Sequence, residues 1–243
     1  MTARSRSPAP RVVSLVPSAT ETLLALGIEP VACTRFCEQP GIPTVGGTKT
    51  PDLAAIGTLA PDLVVMNDEE NRREDFDALV AGGIAVHSIS PRRVDEVAPA
   101  VERLARAVGV EARDVTRGWG ERLDAIRAGA PQRRRAVTFV WRRPWMTLSA
   151  STYGSSLLGL VGFDNVFADA PDRYATVTLD EVASRRPDVA LFPSEPYAFA
   201  ERHRAELEAA VPGCGGRFVD GRDLFWWGIR TPDAAERLAR ALW

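Results

Sequence analysis

The chain has 243 residues, 45% of them hydrophobic and 26% charged, with a formal net charge of -2. That length and mix suit a globular protein with one large or two small cores, and the charge lacks the clustered positive excess that a nucleic-acid surface requires. Three cysteines cannot build a disulfide framework, and Cys33 and Cys37 followed only by distant Cys214 match no zinc spacing.

Residues 1–10, MTARSRSPAP, read as a disordered tail. The apolar stretch that follows, 12–28, is interrupted by Pro17, Ser18, Thr20 and Glu21. It suits neither a secretion signal nor a membrane span, so the chain as it stands is expected in the cytoplasm. Residues 11–16 have the β-branched content of a buried parallel strand. Ser18 is a candidate N-cap, with Glu21 completing a capping box and Gly27 ending the helix. A strand running straight into a helix N-terminus presents backbone N–H groups at the strand's carboxyl end, where open α/β sheets hold ligands.

Residues 30–34 form a second predicted strand, followed by a Gly- and Pro-rich loop at 35–50, RFCEQPGIPTVGGTKT. Loops of this length commonly carry function. Its GGTKT end lacks the earlier glycine of a phosphate loop, since Ile42 stands there, and no G-x-G-x-x-G occurs anywhere. A strand at 63–66 leads into the acidic run Asp68-Glu69-Glu70, a helix at 70–81 and a strand at 84–89. At 111–128, Ala112, Val115, Trp119, Leu123 and Ile126 recur at helical spacing, which predicts one amphipathic helix near mid-chain. Gly118 and Gly120 flank Trp119 there, and each costs about 1 kcal/mol inside a helix, so they signal close packing or a kink.

The two sides of that stretch repeat one another. TLLALGIEPV (22–31) is matched by SLLGLVGFDNV (156–166), and TPDLAAIGTLAPDLVVMNDE (50–69) by VTLDEVASRRPDVALFPSE (177–195). In each half a helix runs into Pro-Asp, four apolar residues and an acidic loop, so Glu69 and Glu195 take equivalent places. A helix follows in both halves, at 70–81 and 200–210, and then a strand, at 84–89 and 217–219. Alternating helix and strand is common to all doubly wound α/β chains, but the shared order of segments goes beyond that.

The second half opens with a strand at 136–140 and then WRRPWMTLSASTYG, and ends with FWWGIR before a helix at 232–242. Trp141, Trp145, Trp226 and Trp227 thus lie in loop-like segments beside arginines. Adjacent Trp226 and Trp227 cannot both point inward from one strand, which favours an aromatic-lined cleft. An enzyme using the same cleft is the competing reading. It lacks a G-x-S-x-G elbow, an H-E-x-x-H or a recognisable Cys–His signature, and His87 is its sole candidate base. His203, within AERHRAEL, is expected to face solvent.

RVVSLVPSATETLLALG, CTRFCEQP, VGGTKTPDLAAIGTLAPDLVV, EENRRED, WRRPWM, LFPSEPY and DGRDLFWWGIRT together resemble the helical-backbone metal receptors, the class III substrate-binding proteins of ABC transporters. The resemblance covers nearly the whole chain from Arg11. It implies an α/β fold: two Rossmann-like lobes with parallel-rich sheets joined by a single long backbone α-helix. The expected organisation is a tail at 1–10, a first lobe at 11–110, the connecting helix at 111–129 and a second lobe at 130–243. It further implies non-enzymatic binding of cobalamin, a ferric siderophore or haem between the lobes, with no covalent cofactor. The ligand-facing positions implied are Pro17, Ser18, Arg35, Phe36, Thr48, Asn67 and Glu69 from the first lobe, and Trp145, Tyr153, Tyr174, Trp226 and Trp227 from the second. An ABC permease is the implied partner of a monomeric chain. Arg73 and Gly228 fall at the family's acidic docking positions, which leaves Glu70 and Glu74 as candidate docking residues. An intracellular sensor or carrier with the same fold is the third reading.

Overall fold

In the computed structural model, which describes residues 10–243, the chain divides into two compact units. The first holds the residues up to Ser90 together with Ala98–Arg117, and the second holds Pro91–Val97 and Gly118–Trp243. The tail expected at 1–10 lies, Pro10 excepted, outside the described residues.

The first unit runs β1 (Val12–Ser14), α1 (Pro17–Ala25), β2 (Ala32–Cys33), α2 (Leu53–Leu59), β3 (Leu63–Met66), α3 (Arg73–Ala81) and β4 (Val86–Ser88), and continues through α4 (Val97–Ala107) and α5 (Arg113–Thr116). Its strands lie in the order β2-β1-β3-β4, every neighbouring pair parallel. Central parallel strands are covered on both faces and read as unbroken apolar runs. Accordingly Val13, Leu15, Val64 and Met66 join Ile56 of α2 and Leu79 of α3 in one core.

The second unit comprises α6 (Trp119–Gly129), β5 (Arg134–Trp141), β6 (Trp145–Leu148), α7 (Tyr153–Leu160), β7 (Phe163–Asn165), β8 (Tyr174–Val177), α8 (Leu179–Ser184), β9 (Val189–Pro193), α9 (Glu201–Ala210), β10 (Gly215–Val219), α10 (Gly221–Phe225) and α11 (Thr231–Leu242). Its sheet runs β10-β9-β5-β6-β8, and β7 pairs with the start of β5. β10, β9, β5 and β7 are mutually parallel, while β6 and β8 are antiparallel additions.

Without those two additions the order is β7-β5-β9-β10, which matches β2-β1-β3-β4 strand for strand. The repeat extends to individual bonds. The Arg11 backbone N–H donates to Asp62 Oδ2 at 2.8 Å, and the Arg135 N–H donates to Asp188 Oδ2 at 2.7 Å. The Arg11 guanidinium donates to the carbonyl of Leu59, and that of Arg135 to those of Arg185 and Arg186. α2 and α8 are each followed by a non-glycine residue at positive φ, Ala60 at 44° and Arg186 at 46°, directly before Pro-Asp. The Pro-Asp signal in the sequence is therefore a strand-entry device: its carboxylate satisfies an N–H at the entry of the neighbouring central strand, which would otherwise be an orphan donor.

Residues 111–129 do not form one continuous helix. α5 and α6 are separated at Arg117 and Gly118, and Gly118 has φ +75°. A left-handed residue cannot continue a right-handed helix, and glycine takes that conformation without a Cβ penalty. The apolar stripe was nonetheless legible, because Ala112 and Trp119 are buried and Val115, Leu123 and Ile126 half-buried. α6 is tied to α11, where the Arg122 guanidinium meets Asp233 at 2.5 Å and Glu236 at 2.7 Å.

Candidate functional site

In the first unit, the carboxyl ends of β1, β2 and β3 carry the predicted positions. Pro17 is the first residue of α1 and Val16 its N-cap, so Ser18 does not cap the helix as its sequence suggested. Pro17 fixes this start, because it is preorganised for the first helical position and lacks an N–H to satisfy. Ser18 Oγ is left buried without a hydrogen-bond partner.

Asn71, which the sequence reading passed over, ties this rim together. Its side-chain oxygen accepts from the Asn67 N–H at 2.8 Å, and its amide donates to the carbonyls of Leu15 at 3.1 Å and Thr48 at 2.9 Å. Asn67 is 4% exposed, and its own Oδ1 accepts from the Glu69 N–H at 2.7 Å. Asn67 thus shapes a turn, and Thr48 contributes its backbone carbonyl. Lys49, the only lysine of the chain, donates from Nζ to the carbonyl of Glu69 at 2.7 Å.

The presented chemistry of this rim is Arg35 and Phe36. The Arg35 guanidinium lies 4.7 Å from the centre of the Phe36 ring, and that ring is 48% exposed. Gly47 packs beneath both, where a Cβ would approach Arg35 to 3.1 Å and Phe36 to 3.2 Å. Glu70 is half-buried in the turn after β3, and Glu74 is exposed in the first turn of α3.

In the second unit the strand ends bring Glu195 and Trp226 together, with Trp226 Nε1 donating to Glu195 Oε1 at 2.6 Å. The half-buried Trp226 ring has the guanidinium of Arg222 at 5.2 Å and that of Arg230 at 5.3 Å. Both distances are within the range of cation–π attraction. Asp223, buried beside them, accepts from Arg237 at 2.6 Å and lies 3.4 Å from Arg230. Gly221 lets this loop close on the end of β9, since a Cβ there would fall 2.5 Å from Glu195 Cγ and 2.7 Å from its backbone nitrogen.

The remaining predicted aromatics separate by burial. Tyr174 is 37% exposed on β8. Trp227 is buried, with its Nε1 unpartnered, so the adjacent tryptophans do point different ways. Trp145 is 6% exposed and packs on Phe139 and Phe199 in the core. Tyr153 is buried in α7, its hydroxyl 2.9 Å from Thr231 Oγ1, and burial pushes its ionisation well above the ordinary tyrosine value. Neither Trp145 nor Tyr153 presents a face to solvent as expected. The hairpin of β5 and β6 turns Trp145 inward, and a loop-like sequence reading could not show that. His203 is likewise 4% exposed, against the solvent-facing expectation, because Trp145, Tyr197 and Phe199 surround it.

Comparison with known proteins adds four findings. The sequence model of one family, described as periplasmic binding protein, matches residues 12–205. A vitamin B12-binding protein of Vibrio cholerae is 29% identical over 220 residues, covering 83% of this chain and 78% of that protein. Among solved structures, the periplasmic vitamin B12 binding protein of Vibrio cholerae superimposes with a TM-score of 0.82 at 25% identity, covering 97% of each chain. A periplasmic haem binding protein of the same organism gives a TM-score of 0.81 at 21% identity, covering 96% of this chain and 99% of that one, a likeness of fold.

Proposed function

Because this chain belongs to the periplasmic binding protein family, we propose that it binds a flat metal-bearing organic ligand, a corrinoid or a metal chelate, and releases it unchanged. The observation that carries this reading is Trp226, a half-buried indole held by Glu195 with two guanidiniums within 5.3 Å of its ring centre. Flat conjugated rings stack on indole, and their anionic or amide edges suit guanidinium donors. Arg35 over Phe36 offers the same pairing of cation and ring in the first unit.

Cobalamin is the first ligand to test, on the strength of the Vibrio cholerae relative. A ferric siderophore and haem follow. Delivery to an ABC permease is part of the same reading, with exposed Glu74 and its neighbour Glu70 as the carboxylates that dock. Among the described residues no helix is long and apolar enough to cross a membrane. Cell fractionation tests the periplasm, where the family's description places its members.

The test is titration of the purified chain with cobalamin, haemin and a ferric catecholate, following tryptophan emission. Saturable quenching with one ligand per chain is expected. Absence of quenching by all three at micromolar concentration overturns the reading.

A further inference from the structure

A polar cavity of about 260 Å³ lies in the second unit, lined by Arg142, Arg143, Tyr197, Arg202, His203 and Glu206. Three guanidiniums face one carboxylate in it. Glu206 is already engaged, accepting from Arg142 at 2.5 Å, and the Arg142 guanidinium lies over Trp145, 4.5 Å from the ring centre. Arg143 is held at φ +74°, a left-handed conformation that costs a non-glycine residue and that marks positions where side-chain direction matters.

His203 sits between two N–H donors. Its Nδ1 lies 2.9 Å from the Ala200 backbone nitrogen, an obligate donor, so Nδ1 is the acceptor of the neutral ring and Nε2 carries the proton. Burial and the nearby Arg202 and Arg142 hold the imidazole below its ordinary pKa and so keep it neutral. Arg202 Nε, also an N–H donor, is aimed at Nε2 of the same ring at 3.2 Å. A neutral imidazole accepts at one nitrogen only, so the ring, 4% exposed beside the exposed Arg202, cannot accept from both donors.

We propose that this cavity is an oxyanion site, in which a phosphate or carboxylate group accepts from His203 Nε2 and Arg202 Nε and is neutralised by Arg142 and Arg143. Tyr197 closes one wall, braced edge-on by Trp141 at 5.3 Å. An oxyanion supplies the lone pairs that the facing donors lack, and charge-assisted bonds from guanidinium are the strong kind. The group comes either as a free anion or as a substituent of a larger ligand. The site requires nothing of the Trp226 face, so it stands or falls separately from the chelate reading.

Calorimetric titration of the whole chain with inorganic phosphate, in a chloride buffer, is the direct test. Saturable binding in the millimolar range or tighter is expected, weakened at least roughly tenfold in R143Q/R202Q. E206Q should tighten it by removing the competing carboxylate. With only two histidines in the chain, the ¹⁵N signal of His203 is readily assigned, and phosphate should shift Nε2 without moving His87. Competition between phosphate and the quenching ligand assigns the anion to a ligand substituent, and additive binding assigns it to a free ion. No saturable heat, or heat with an unmoved His203 signal and unchanged affinity in E206Q and R143Q/R202Q, overturns the site.

Discussion

Trp226 Nε1 donates to Glu195 Oε1 at 2.6 Å, and this bond orients an indole that has the guanidiniums of Arg222 and Arg230 within 5.3 Å of its ring centre. Glu195 follows β9, so the rigid sheet positions the ring. Trp226→Ala is expected to weaken ligand binding by about 1 to 3 kcal/mol, as for a stacked aromatic anchor. Trp226→Phe should retain part of the stacking but lose the bond that aims it, and so fall between the two. An unchanged Kd in Trp226→Ala removes this face from the site.

Asn71 links three separate segments through one buried amide. Asn71→Ala leaves the Asn67 N–H and two carbonyls without this partner, which predicts a loss of roughly 2 to 4 kcal/mol in urea unfolding. Asn71→Asp keeps the acceptor for Asn67 but not the two donations, and should destabilise as well. A smaller effect than about 1 kcal/mol would show that water replaces the amide there.

What could be read in advance followed the range of the interaction. The repeated halves were legible because apolar runs, Pro-Asp and Glu69 or Glu195 recur within short windows, and the repeated Arg11–Asp62 and Arg135–Asp188 bonds give that pattern its physical cause. α4 was overlooked although Val97, Ala100, Val101, Leu104 and Ala105 carry a helical stripe. Trp145, Tyr153 and His203 were misjudged because their burial depends on partners distant in the chain, such as Phe199 for Trp145 and Thr231 for Tyr153. The Glu195–Trp226 bond spans 31 residues and has no local signature.

Both histidines titrate below their ordinary value of 6.5, His87 through burial and then the nearby Arg103, His203 through burial and then Arg202. His87 Nε2 is also buried without a partner. Above pH 6.5 neither state of the chain holds these protons. As pH falls below 6.5 the unfolded chain binds them before the folded one does, so stability declines until the lowered folded-state values are passed. His87→Leu should flatten part of that decline, measured as unfolding free energy against pH in phosphate-free buffer. An equal slope in the variant would assign the acid sensitivity to His203 and the carboxylates.

Gly118 decides the character of the mid-chain segment. At φ +75° it breaks residues 111–129 into α5 and α6, and a Cβ placed there meets no atom within 4 Å. The cost of Gly118→Ala is therefore conformational alone, about 1 to 2 kcal/mol of destabilisation for a left-handed alanine. Asparagine tolerates that region better, so Gly118→Asn should cost less. The sign of the alanine effect carries the information. Were residues 111–129 a continuous helix, replacing an interior glycine by alanine would stabilise by roughly 0.5 to 1 kcal/mol. A rise in unfolding free energy for Gly118→Ala would thus restore the unbroken helix expected from the stripe, whereas a fall confirms the break and makes Gly118 the point at which the two units part.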